Sequence, residues 1–251
     1  MVIKAKLEGH VFDLDALVEL FREGDPTVSK EGDDYYLSSA ELEGLIDDKG
    51  QLVEAATRLL QKVMGVARIL DSSFRPVTLP GTFVEDTDDG ESRHHHVVVA
   101  DMAIVLSRAH AAIVATSGDP SAPSEPPPPP PPEGPPYLRL ASSHPDVAEA
   151  LEILGQPNVS LNWIDLYKLF EIVRDSVGNE QALKRKGWVP DGEISAFKAS
   201  ANRPDVSGSA ARHARMGGGP PKLKMNLAEG EAFIRKLVVA WWNSLGGQST
   251  S

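Results

Sequence analysis

The residues best equipped for chemistry lie between Ala201 and Met225, in "ANRPDVSGSAARHARMGGGPPKLKM". Arg212 and His213 adjoin there. Arginine presents planar, paired donors that match a phosphate. An unperturbed histidine titrates near neutrality and can take up or release a proton. Lys198, Arg203, Arg215, Lys222 and Lys224 extend the basic character, and from Lys184 to Lys224 nine Lys and Arg stand against three Asp and Glu, a net of +6. Ser207, Gly208 and Ser209 can turn backbone amides toward an anion. One reading is therefore an anion grip with a conceivable acid-base centre. The other is a polar connection between helices, its glycines and prolines supplying turns, with Arg212 pinned to Glu171 or Asp165.

Several templates are excluded. "GGGPPK" is not a P-loop, since no G-x-x-x-x-G-K-[ST] pattern is present. "SGSAA" is no nucleophile elbow. The basic run is not spaced as a helix-turn-helix reader and lacks the stacking aromatics of an RNA-binding sheet. With no cysteine in 251 residues, disulfides, thiolate metal sites and cysteine nucleophiles are absent. His94, His95 and His96, with Asp86, Asp88 and Asp89 nearby, suggest a metal site. In a strand, however, His95 points away from its neighbours, and "DTDDG" lacks the glutamate of a calcium loop. These residues read as the polar end of a hairpin, and neither metal nor cofactor is expected.

The elements that must position these groups fall into two parts. Residues 1–116 read as an acidic α+β domain. "VIKAKL" alternates as a strand, "DLDALVELFREG" is a short helix ending at Gly24, and "TVSKEGDDYYLSS" is a hairpin turning at Glu31 to Asp34. A helix spans Lys49 to Leu70, with Leu52, Ala56, Leu59, Leu60, Val63, Val66 and Leu70 along one stripe. "RPVTLPGTFV" and "HHHVVVADMAIV" are expected as strands, and "LSRAHAAIVAT" fits either strand or helix.

Residues 117–136 read as a proline-rich linker, since Pro126 to Pro132 are consecutive prolines. Such a run favours a polyproline II rod, here a spacer more than a docking site. Residues 137–246 read as an all-α domain of four packed helices: "HPDVAEALEILG", "NWIDLYKLFEIVRDSVG" capped by Asn162, "DGEISAFKASA", and a last helix capped by Asn226 with Glu229 three positions on. In the second of these, Asp165, Lys168, Glu171 and Asp175 are expected on the polar side. The basic Gly/Pro-rich segment, 201–225, is expected as a loop.

Charge follows the same division. The chain carries -11, with -13 in the first 136 residues and +2 in the rest. A polyanionic partner should therefore meet the second half. No secretory signal or membrane-length apolar run is visible, so a cytoplasmic protein with no membrane partner is expected.

A helical domain with an acidic helix face and a late Arg-His element resembles the HEPN class, over Leu140 to Leu245. Many members of that class are metal-independent ribonucleases of bacterial defence and toxin systems. Their arginine and histidine are spaced along one helix, whereas Arg212 and His213 are adjacent. The resemblance implies RNA cleavage by Arg212 and His213, oriented by Asp165 or Glu171. The residues themselves point first to recognition, of a protein partner or of a phosphate-bearing ligand such as RNA, through Lys198, Arg203, Arg212, His213, Arg215, Lys222 and Lys224.

Overall fold

The computed structural model describes residues 1–87, 92–97, 132–158, 160–215 and 221–246. The N-terminal part contains β1 (Val2–Leu7), α1 (Val11–Phe21), β2 (Thr27–Glu31), β3 (Asp34–Ser38), α2 (Lys49–Leu70), β4 (Thr82–Asp86) and β5 (Ser92–His96). The five strands form an antiparallel sheet in the order β2-β3-β1-β4-β5. Alternation in β1 buries Ile3, Ala5 and Leu7. On the other face, Lys4 lies 2.6 Å from Glu31 and 2.5 Å from Asp86. The expected hairpin and the helix from Lys49 to Leu70 form as read.

The strand in "RPVTLPGTFV" is shorter than expected. It starts at Thr82, and only Thr78 forms an isolated bridge, to Glu8. Pro76 and Pro80 have no amide to give a ladder. Helix α1 ends at Phe21, and Gly24 (φ 105°) instead serves the turn that follows. The segments "LSRAHAAIVAT" and 117–131, like Asp88 and Asp89, lie outside the described residues.

The C-terminal part is helical: α3 (Gly134–Ser143), α4 (Pro145–Leu154), α5 (Trp163–Ser176), α6 (Glu180–Lys186), α7 (Asp191–Asn202), α8 (Pro204–Ser207) and α9 (Leu227–Gly246). The expected set of four helices is thus incomplete. Helix α3 begins inside the expected linker, where Gly134, Pro135 and Pro136 supply its first turn; orphan amides make that position tolerant of proline. Helix α6 is capped by Asn179 and stopped by Gly187 at φ 67°, a left-handed position suited to glycine. The Asn162 side chain accepts from the Ile164 and Asp165 amides at 2.8 and 3.1 Å. Asn226 and Glu229 form a reciprocal capping box: the Glu229 amide donates to Asn226 Oδ1 at 2.9 Å, and the Asn226 amide to Glu229 Oε2 at 2.7 Å.

The two parts share one apolar core, which runs from Ile3 and Phe83 to Trp241 and Trp242. Helices α2 and α4 make the joint, where glycine lets the backbones close. A Cβ on Gly155 would stand 1.9 Å from the Gln61 carbonyl oxygen, and one on Gly65 would stand 2.7 Å from that of Leu151. Gly155→Ala is therefore expected to destabilise by at least about 2 kcal/mol through backbone displacement. Gly192→Ala, in α7 with nothing nearer than 3.7 Å, should be neutral or stabilise by up to about 1 kcal/mol. Urea unfolding of both variants checks this; equal stabilities would contradict the close joint.

Candidate functional site

Helix α5 presents Tyr167 and Glu171 four residues apart, hence on one face. Onto that face folds the segment after α8. The Arg212 amide donates to the Ala201 carbonyl at 2.8 Å, which fixes the backbone at the end of α7. The Arg212 guanidinium then lies over the Tyr167 ring, 4.4 Å from its centroid, with Nη2 3.6 Å from Glu171 Oε2. Glu171 is shared with Arg174, whose Nη1 lies 3.8 Å from Oε1. A half-exposed cation–π contact is worth about 0.5–1 kcal/mol, and a loose exposed ion pair about 0–1 kcal/mol. Arg212 is thus oriented without being enclosed: its side chain remains 37% exposed, and its contact with Glu171 is a loose one at 3.6 Å.

Within the expected loop, residues 204–210 are helical. Pro204 opens α8 at its first position, and a 3₁₀ turn follows over Gly208–Ala210. The wholly buried Ser200 secures both flanks. Its carbonyl accepts from Ser207 Oγ at 2.6 Å, and its hydroxyl oxygen accepts from the Met225 amide at 2.7 Å.

The remaining sequence-derived residues divide. His213 and Arg215 follow Arg212 as exposed side chains, and Lys222 and Lys224 are exposed across the segment. Among the described residues, His213 has no hydrogen-bond or ion-pair partner. Two of the expected anion ligands are engaged instead with carboxylates of this chain. Lys198 reaches Glu180 at 2.5 Å, and Arg203 makes a two-pronged contact with Asp205, both distances 2.9 Å. The expected polar-face position of Asp165 is corrected: it is buried, 6% exposed, with Oδ2 lacking a hydrogen bond among the described residues. Packing of α4, α7 and α9 around α5 encloses a wider arc than the apolar stripe alone. Of the two carboxylates expected to orient the Arg-His pair, it is Glu171 that the structure brings to Arg212.

Along β5, His94 and His95 fall on opposite faces. His95 lies 3.0 Å from Glu85, His94 is exposed, and Asp86 is occupied by Lys4 and Ser92. Sequence reasoning missed two things. Tyr167 read as part of the apolar stripe, although its ring also serves as the platform for Arg212. A second charged cluster, Arg68, Glu231 and Arg235, went unnoticed because its members lie far apart in the chain.

Compared with known proteins, the chain matches no family model, no curated protein and no solved structure. Among the described residues, no helix is long and apolar enough to cross a membrane.

The Glu180–Lys198 contact carries a pH signature. Hydrogen bonding from Lys198 is the largest influence holding the Glu180 carboxyl below its ordinary value, and Lys184 adds to it. A lowered folded-state value stabilises above the ordinary glutamate range and ceases to do so as pH falls through the folded value. The stability gap between wild type and Glu180→Gln should therefore be present at pH 7 and close below about pH 4. Urea midpoints across pH test it, and a gap independent of pH would contradict the assignment.

Proposed function

We propose that the protein is a recognition module that binds a phosphate-bearing ligand, single-stranded RNA among the candidates, through the basic face centred on Arg212. The observation that carries this reading is the Arg212 guanidinium, stacked on Tyr167 and loosely paired with Glu171. A stacked arginine loses less freedom when it engages a phosphate, and its fork matches two phosphate oxygens. His213, Arg215, Lys222 and Lys224, all exposed, are the further donors of the same chain segment. Lys198 and Arg203 serve the scaffold through Glu180 and Asp205 in this reading.

Binding is favoured over ribonuclease action by the state of His213. A general base needs a partner that fixes its tautomer and its reach to the substrate hydroxyl. Glu171 engages Arg212, and Asp165 is buried in α5.

The test uses the full chain with labelled single-stranded RNA in EDTA, at low and high salt, following binding and cleavage together. Arg212→Ala should weaken association at least about tenfold and lower the salt slope by about one. His213→Ala should change it less than about threefold. Absence of salt-dependent binding, or binding indifferent to Arg212→Ala, would overturn the proposal. Cleavage lost in His213→Ala would replace it with the HEPN-like reading.

A further inference from the structure

A basic turn that the Arg212 face leaves unused lies at the other end of α7. The last turn of α6 carries Lys184, Arg185 and Lys186, and Gly187 in its left-handed conformation ends the helix just before Trp188. Lys184 is engaged with Glu180 at 3.3 Å. Arg185 and Lys186 are exposed, and among the described residues neither forms an ion pair. Cations at a helix C-terminus complement the helix dipole, which accounts for their charge but not for the ring beside them.

That ring differs from its counterparts. Of the four tryptophans, Trp163, Trp241 and Trp242 are buried, whereas Trp188 is only half-buried against the core. The Lys186 ammonium lies over its ring, 5.6 Å from the centroid. A loose contact made by a solvated ammonium is weaker than the stacking of a nucleobase on an aromatic ring. A base can therefore take the place of the ammonium, which is then free to meet the flanking phosphate.

Helix α7 relates this ring to Arg212. Trp188 stands three residues before the helix, and the Arg212 amide is fixed to the Ala201 carbonyl in its last turn. The helix is 12 residues long. That is about 18 Å, the length of about five nucleotides stacked at about 3.4 Å each. Between the two ends, Lys198 of α7 meets Glu180 of α6, and Lys184 lies one turn further along α6. A phosphate grip at one end and a ring flanked by cations at the other suit a single strand, whose bases are free to leave their own stack.

We propose that Trp188, with Arg185 and Lys186, is a second subsite for the same ligand, which is then a single-stranded RNA long enough to reach from Arg212 to Trp188. A base stacks on the indole, and the two cations hold the phosphates on either side of it. This inference rests on the reading of Arg212 as the phosphate grip.

The test is tryptophan fluorescence of the full chain, titrated with an adenylate oligonucleotide of about ten residues, with diadenylate and with inorganic polyphosphate. Affinities are read in parallel from the anisotropy of the labelled oligonucleotides. The longer oligonucleotide should quench emission saturably, and polyphosphate should not. Trp188→Phe should abolish the quenching yet hold affinity within about threefold, because phenylalanine still stacks. Trp188→Ala should weaken binding at least about fivefold, and Arg185→Gln should lower the salt slope by about one. Diadenylate, too short to join the two ends, should bind at least about tenfold more weakly. Binding that depends on Arg212 but leaves emission unchanged, or is indifferent to Trp188→Ala, would overturn this inference and leave the Arg212 reading standing. Equal quenching by polyphosphate would overturn it too, since no base is then needed. Quenching at Trp188 that is indifferent to Arg212→Ala would instead overturn the Arg212 reading. If Trp188→Ala does not fold, the Trp188→Phe and Arg185→Gln results decide.

Discussion

The close approach of α2 to α4 is the constraint on which the rest of the structure depends. Two glycines permit it, Gly65 facing Leu151 and Gly155 facing Gln61, at separations that no side chain could occupy. Once those backbones meet, Leu59, Val63 and Val66 of α2 and Val147, Leu151 and Leu154 of α4 join one core. Each large apolar side chain buried there contributes about 1.5–3 kcal/mol. The acidic sheet part and the helical part are consequently not two beads on a string. Their cores are continuous, even though their charges differ.

That joint also explains where the charged groups fall. Arg68 follows Gly65 by one turn, so the approach that buries Gly65 carries a guanidinium into the interior. The Leu154 carbonyl at the end of α4 and the Asn158 carbonyl beyond it satisfy the guanidinium, the first in keeping with the preference of cations for helix C-termini. Beyond α4, helix α5 is held between α4, α7 and α9. One face of α5 is consumed by the core, and only its margin, Tyr167 and Glu171, remains to meet Arg212. The two clusters answer different demands: Arg68 is buried against carbonyls at the joint, whereas Arg212 stays partly exposed at the margin of α5.

Much of this was legible from the chain alone. The helix from Lys49 to Leu70, the hairpin around Glu31 to Asp34 and the Asn162 and Asn226 caps are local, and local chemistry decides them. Periodicity buries a stripe, and a side-chain oxygen meets an orphan amide. Helix α6 had equally local signals in Asn179 and Gly187, overshadowed by its run of lysine and arginine. The sequence points to the Arg212–Glu171 pair, but not to the stacking on Tyr167 or the burial of Asp165. A phenol in an amphipathic stripe looks the same whether it faces a core or a guanidinium, and a first-turn carboxylate gives no sign of which helices will cover it. The Arg68, Glu231 and Arg235 cluster was invisible for a related reason. Tertiary packing alone brings residue 68 beside residues 231 and 235.

In the proposed function Arg212, oriented on Tyr167, is the residue that meets the ligand. Its most direct test is an NMR titration of the full chain with short single-stranded RNA, following the arginine Nε–H resonances assigned one by one. The Arg212 resonance should shift saturably, accompanied by the Tyr167 ring protons. Arg203, already bound to Asp205, should move little. An Arg212 resonance that stays fixed while RNA binds elsewhere, or a folded protein in which no arginine resonance responds, would contradict the account.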